Sequence, residues 1–333
     1  RGFFQQIADE LGKQELYEIC GGKDGFPESL SDWYKSVPLL HLKKICSEGL
    51  RDYDDLPEDV KLGIRGDRVE IPCYIEDISS LFWMLGMYCA EGWSRSTESA
   101  HQVSFRVGEE ELRQKLKGVI ADIFELTPYE KEDNIRYSSK ILRFLISDVW
   151  DAGSSAYEKR VPELVYHGSD EEVKNFVSAF FDGDGSISLS PDRVTLYSVS
   201  KELLEGISSL LLRENIFSRY HQTEKRSPRK KVVERYEELG KEPAEHRLYH
   251  LSMSGEDKYR FASYVEPVSG KKRDRASGMV ELEPENAKRL INHKGKNYEA
   301  VPSSDYTFDI VKKTERIETE RENTYCIDVE GEE

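Results

Sequence analysis

An internal duplication constrains this chain more than any other feature, because two copies of one supersecondary unit must fold alike and can bury against each other. Residues 81–91 are apolar until they end in Glu91 and Gly92, and residues 173–184 do the same, ending in Asp184 and Gly185. A β-type segment follows each stretch at nearly equal distance, over residues 103–107 and 194–199. An amphipathic helix comes next in both copies. Residues 110–124 carry Leu112, Leu116, Ile120 and Phe124 at helical spacing, and residues 201–216 carry Leu203, Leu204, Ile207, Leu210 and Leu211. Further strand and helix follow, at 134–137 and 140–149 in the first copy and at 246–253 and 256–265 in the second. The polar insert at 221–245 lengthens the second copy as an extended hairpin. The fold class is therefore α+β, with two pseudo-symmetric αββαββα repeats.

The ends of the two apolar helices carry the chemistry. Glycine just past a helix end predicts a left-handed cap, which leaves Glu91 and Asp184 in the last turn, at the negative end of the dipole. That placement costs about 0.3–1 kcal/mol per carboxylate and makes sense where something positive binds. Gly86 and Ala90 in the first helix, and Ala179 and Gly183 in the second, are four apart, so each pair lies on one face. Two such faces can meet backbone to backbone and bring both carboxylates to one point. Hard oxygen ligands of this kind suit Mg²⁺, with water and phosphate completing the octahedron. The plain alternative is two buried helices whose terminal acids sit in caps or salt bridges. The repetition of small residues, acids and downstream strands favours the first reading.

The rest of the chain excludes more than it proposes. Five scattered cysteines without a C-x-x-C pair argue against a disulfide framework or structural zinc and for a reducing, cytoplasmic interior. No run approaches the roughly 20 apolar residues of a membrane span. A net charge of −16 does not exclude nucleic acid, since DNA responds to local basic surface within a Debye length of about 8 Å. Basic residues do cluster, at Lys225, Arg226, Arg229, Lys230 and Lys231, and again at Lys271, Lys272, Arg273 and Arg275, with solvated surface as the competing explanation. The expected organisation is a helical N-terminal segment over 1–76, repeats over 77–170 and 171–276, and a β-rich segment over 277–333. The chain opens on Arg1 rather than Met, as expected for a piece of something longer.

The two acid-tipped stretches, ending Tyr-Cys-Ala-Glu-Gly at Gly92 and Phe-Asp-Gly-Asp-Gly at Gly185, resemble the paired signature helices of LAGLIDADG homing endonucleases. The resemblance implies a monomeric pseudo-dimer whose β-segments form a saddle on double-stranded DNA. It makes Glu91 and Asp184 the metal-binding, catalytic carboxylates with Mg²⁺ as cofactor. Asp182, whose counterpart is Cys89, is then structural. Lys159 precedes Val161-Pro162, as a catalytic lysine does in intein-borne members, and its partner in the second copy is Lys271 or Lys272. Arg106 and the cluster from Lys225 to Lys231 become DNA contacts. Residues 324–331 resemble a strand near the C-terminus of an intein, which implies host exteins as partners. The chain holds no His-Asn junction and no T-x-x-H block, so it is not expected to splice as given. Competing functions are a LAGLIDADG remnant that binds DNA or RNA without cutting, a maturase or regulator on the same fold, and a passive part of a splicing module.

Overall fold

The described N-terminal residues include the short helices α1 (Lys13–Ile19) and α2 (Leu39–Ser47), as the amphipathic pieces suggest. The computed structural model describes residues 9, 12–19, 39–49, 52–64, 67, 69–98, 100–190, 192–223, 247–283, 290–293 and 296–299. Strands β1 (Lys61–Gly63) and β2 (Glu70–Pro72) then form an antiparallel hairpin. The sequence suggests only an entry turn at Ile71-Pro72. Ile71 is instead buried and pairs with Leu62, and Pro72 ends its strand, where its missing N–H costs no ladder bond.

The first repeat begins when the Asp77 carboxylate accepts the Ser80 N–H at 2.9 Å and caps helix α3 (Ile78–Glu91). Every residue from Leu81 to Cys89 is buried, which is why this helix is apolar all round rather than striped. Strands β3 (Gly92–Ser96) and β4 (His101–Arg106), helix α4 (Glu110–Phe124), strands β5 (Tyr129–Lys131) and β6 (Asn134–Ser138) and helix α5 (Lys140–Phe144) follow. The expected helix over 140–149 is α5 continued by a π turn at Leu145–Val149. A short helix α6 (Glu163–Tyr166) leads to the second repeat.

Helix α7 (Asp170–Asp184) starts with a capping box, Ser169 accepting from the Glu172 N–H while Glu172 accepts from the Ser169 N–H. It is followed by β7 (Gly185–Leu189), β8 (Asp192–Ser198), α8 (Lys201–Arg213), β9 (Arg219–Gln222), β10 (Tyr249–Met253), α9 (Glu256–Tyr264) and α10 (Gly270–Glu281). Helix α8 stops three residues before its apolar pattern does, because Asn215 takes a left-handed φ of 55° and turns the chain. The two four-stranded antiparallel sheets have the same order, β3-β4-β6-β5 and β7-β8-β10-β9. Val103, Phe105, Ile135 and Tyr137 in one, and Val194, Leu196, Leu251 and Met253 in the other, turn inward into the core. Burying each such side chain stabilises by about 1.5–3 kcal/mol. The duplicated α+β fold implied by the sequence is the fold observed.

A last hairpin pairs β11 (Leu290–His293) with β12 (Lys296–Glu299). The basic cluster from Lys225 to Lys231, most of the 221–245 insert, and the strand segments expected at 307–311 and 325–329 lie outside the described residues. Among the described residues no helix is long and apolar enough to cross a membrane.

Candidate active site

The four small residues meet across α3 and α7 as two reciprocal pairs, each a glycine of one helix against an alanine of the other. A Cβ built on Gly86 would lie 2.2 Å from the Phe176 carbonyl oxygen and 3.0 Å from the Ala179 Cβ. A Cβ on Gly183 would lie 2.4 Å from the Ala90 Cβ and 3.1 Å from the Glu91 Cγ. The helices therefore touch along their backbones, and the Glu91 side chain lies over the last turn of α7, beside Asp184.

The two terminal glycines act differently from the left-handed caps predicted. Gly92 and Gly185 are both extended, with φ of −94° and −95°. Their lack of a side chain serves proximity instead. A Cβ on Gly92 would lie 2.4 Å from the Tyr88 ring, and one on Gly185 would lie 2.1 Å from the Phe181 ring. Each helix thus passes straight into its strand, leaving the acid at the junction.

The electrostatics follow from this crowding. Burial pushes the Asp184 carboxyl up to about 7, and the neighbouring Glu91 charge adds to the effect, against the opposing pull of Lys159 and Lys272. Burial also raises Glu91, while Lys159, Lys272 and Arg106 draw it back. Two half-buried carboxylates whose ionisation is resisted form a site poised for a cation.

Both lysines occupy equivalent positions. Lys159, 3% exposed, donates from Nζ to the Tyr88 carbonyl and, at 3.0 Å, to the Cys89 carbonyl. Lys272 donates to the carbonyls of Phe181 at 2.7 Å, Asp182, and Gly183 at 3.2 Å. The ammonium lies 4.8 Å from the Tyr88 ring centre in the first case and 5.4 Å from the Phe181 ring centre in the second. Each lysine thus adds a donor to carbonyls at the end of its own repeat's helix, where the Tyr88 and Phe181 carbonyls already accept the N–H groups of Gly92 and Gly185. Burial lowers Lys159 to about 8, and it lowers Lys272 as well. Of the two residues left open by the sequence, Lys272 stands in this position, while Lys271 is exposed.

Each lysine segment is tied by a residue of the opposite repeat, and the second also by its own helix. The Ser200 hydroxyl, which caps α8, donates to the Lys159 carbonyl at 2.5 Å. The Lys272 segment is fixed by Asp182, which accepts the N–H groups of Val268 at 2.7 Å and Ser269 at 3.2 Å. It is also fixed by Glu111 of α4, which accepts the Gly270 N–H at 3.0 Å. In the first copy Cys89 stands in the place of Asp182, its thiol on the Arg160 carbonyl at 3.5 Å. Sequence reasoning missed Ser200, Ser269 and Glu111, because isolated polar residues signal nothing until tertiary contacts are known.

Arg106 is exposed at the end of β4, paired to Asp133 at 2.7 Å, and its charge reaches Glu91. A cleft of about 160 Å³ opens beside the helix ends, lined by Ala90, Lys159, Asp184, Tyr197 and Leu248 among others. Among the described residues no three His, Cys, Asp or Glu side chains converge. The donor set is therefore two carboxylates, both hard, which fits a divalent cation that keeps much of its water.

Residues 171–266 match the family model described as a LAGLIDADG-like domain. The match to the LAGLIDADG-like model covers α7, the second sheet and α9. The chain is 32% identical, over 79% of its length, to the DNA polymerase II large subunit of Thermococcus kodakarensis, of which the aligned part is 14%. It is 29% identical to the DNA-directed RNA polymerase subunit Rpo1C of Methanocaldococcus jannaschii, over 55% of this chain and 22% of that protein. It is 24% identical to the probable translation initiation factor IF-2 of the same organism, over 47% of this chain and 13% of that protein. The chain spans less than a quarter of the length of each of these relatives. Among solved structures, the homing endonuclease I-DmoI in complex with DNA and Ca aligns with a TM-score of 0.42 at 14% identity, over 60% of this chain and 98% of that one.

Proposed function

We propose that this chain is a site-specific endonuclease for double-stranded DNA, dependent on Mg²⁺ and carried within a host protein as part of an intein. One observation carries the proposal: two abutting helices present Glu91 and Asp184 side by side, each with its own lysine on the carbonyls behind it. Glu91 and Asp184 would hold the metal, with water and phosphate oxygens completing its shell. Bound there, Mg²⁺ would supply charge stabilisation at the scissile phosphate and a more acidic water. Lys159, poised near neutrality by burial, can hold or release a proton beside the reacting water and, while charged, stabilise negative charge developing on the phosphate. Lys272 does the same from the second copy. With one carboxylate and one lysine per repeat, the pseudo-dimer can address both strands as a monomer.

The intein context is supported by the range of relatives. A DNA polymerase, an RNA polymerase subunit and an initiation factor share no task that one short common segment would serve, and this chain matches only a minor part of each. A module inserted into unrelated hosts accounts for that pattern.

One observation favours a second reading. Both ammonium groups bond to helix carbonyls rather than to the carboxylates, as they would if they were helix caps in a remnant that binds DNA without cutting. A supercoiled plasmid bearing the uninterrupted host gene separates the two. The nuclease linearises it in Mg²⁺ and not in EDTA. A remnant shifts the plasmid in a gel and leaves it supercoiled.

A further inference from the structure

The strand registers make the two sheets comparable residue by residue. Gly92 pairs with Phe105 and Gly185 with Leu196, so Arg106 and Tyr197 occupy equivalent positions. Crossing each sheet from there, Arg106 pairs with Asn134 and Asn134 with Lys131, while Tyr197 pairs with His250 and His250 with His221. The same row is therefore Arg-Asn-Lys on the first sheet and Tyr-His-His on the second.

The second row is a built surface. The Tyr197 and His250 ring centres are 5.8 Å apart, and His250 stacks on His221 at 4.8 Å with 16° between planes. A hydrogen bond of 2.9 Å between His221 Nε2 and Ser252 Oγ holds the outer ring. His250 Nδ1 is shut off from solvent, with no hydrogen-bond partner among the described residues. Burial lowers both histidines; Arg219 and Arg193 lower His221 further, and His221 and Arg193 lower His250 further. Two stacked imidazoles beside two arginines stay neutral at pH 7, each with one donor and one acceptor. Tyr197 also lines the cleft with Lys159 and Asp184, so the row runs directly into the candidate active site.

We propose that His250 and His221 read base edges in the half of a double-stranded DNA target that lies over the second sheet, with Tyr197 connecting them to the phosphate at Asp184. The inference rests on the DNA-directed function proposed above. Duplex DNA is the occupant because the face is continuous with the carboxylate–lysine centre and carries the positive charge of Arg193 beside both histidines. Neutral imidazoles can donate to guanine or accept from the exocyclic amines of adenine and cytosine, whereas arginine and lysine can only donate. The two halves of the target would thus be held differently, the first more by charge and the second more by base contacts.

The test is selection of the full chain against a randomised duplex DNA library, compared with a His221→Ala/His250→Ala variant and an Arg106→Ala/Lys131→Ala variant. The histidine variant is expected to lose roughly tenfold discrimination at each contacted base pair, confined to one half-site, with its salt dependence unchanged. The Arg106/Lys131 variant should bind more weakly to all sequences and with a shallower salt dependence. Should the alanine variant fail to fold, His221→Gln/His250→Asn keeps neutral donors and acceptors and should shift the preferred bases in that half-site. An unchanged base profile in a folded histidine variant overturns this inference while leaving the nuclease function standing. A wild-type chain that binds no duplex overturns both.

Discussion

The two lysine–carboxylate pairs are copies in geometry but not in environment, and the difference shows how the duplicated site tolerates its charges. In the first copy, Lys159 is sealed at 3% exposure, its segment tied by the Ser200 hydroxyl and the Cys89 thiol. In the second, Lys272 is half-buried, and a full carboxylate, Asp182, clamps its segment through two backbone N–H groups. A buried ammonium is costly unless paired. Both copies meet that cost with helix carbonyls, and the second also leaves the lysine nearer water. The carboxylates follow the same division. Asp184 is pushed up to about 7 by burial, while Glu91, whose longer side chain crosses α7 at Gly183, is also raised by burial and is drawn back by Lys159, Lys272 and the exposed Arg106.

The sharpest way to break this comparison is to neutralise one acid at a time. Asp184→Asn is expected to cut double-strand cleavage roughly 10³-fold, the worth of several kcal/mol of transition-state stabilisation, with DNA affinity retained. Glu91→Gln should do the same. Strand-resolved gels check this, and full cleavage by either variant removes that acid from the mechanism. Next in size is the helix contact. Gly86→Val puts a Cβ against the Phe176 carbonyl, and overpacking there should cost about 3 kcal/mol or more of stability in urea unfolding. An unchanged midpoint would mean the backbones are not in contact.

Substituting the lysines tests whether the environments matter to function. Lys159→Met and Lys272→Met should each slow cleavage roughly 10²-fold on the strand they serve. The Lys159 change should have the larger effect, because solvent cannot replace a sealed ammonium. Equal losses would erase the distinction between the copies.

The smallest effect is on stability against pH without metal. A carboxyl raised to about 7 favours the protonated folded state, so stability falls as pH rises from about 4 to 7 and the penalty persists above. A lysine lowered to about 8 carries its full penalty below 8, and stability recovers from there towards 10.5. Urea midpoints in EDTA should therefore pass through a minimum near pH 7–8, filled in by Mg²⁺. The dip should shrink in Asp184→Asn, and a profile that is the same in that variant would show that Asp184 is not the titrating group.

Much of this was legible in the residues. Helical spacing placed α4 at its observed bounds, and the small residues at 86, 90, 179 and 183 marked the face on which the helices meet. Other features depended on tertiary contacts. Nothing local distinguishes a glycine that caps from one that clears a ring, so Gly92 and Gly185 were misjudged in conformation though not in importance. Lys271 and Lys272 are adjacent, and only the turn held by Asp182 and Glu111 decides which one points at the α7 carbonyls. The β1–β2 hairpin and the π turn after α5 carry no periodic signal at all. The Tyr-His-His row became visible only once strand register aligned the two sheets.

The most direct measurement is Mn²⁺ binding by electron paramagnetic resonance at pH 7.5, on the wild-type chain and the Glu91→Gln/Asp184→Asn double variant. If the abutting helices deliver both carboxylates to one divalent centre, the wild type binds Mn²⁺ saturably and the double variant does not. Equal binding by the two would contradict the account at its root.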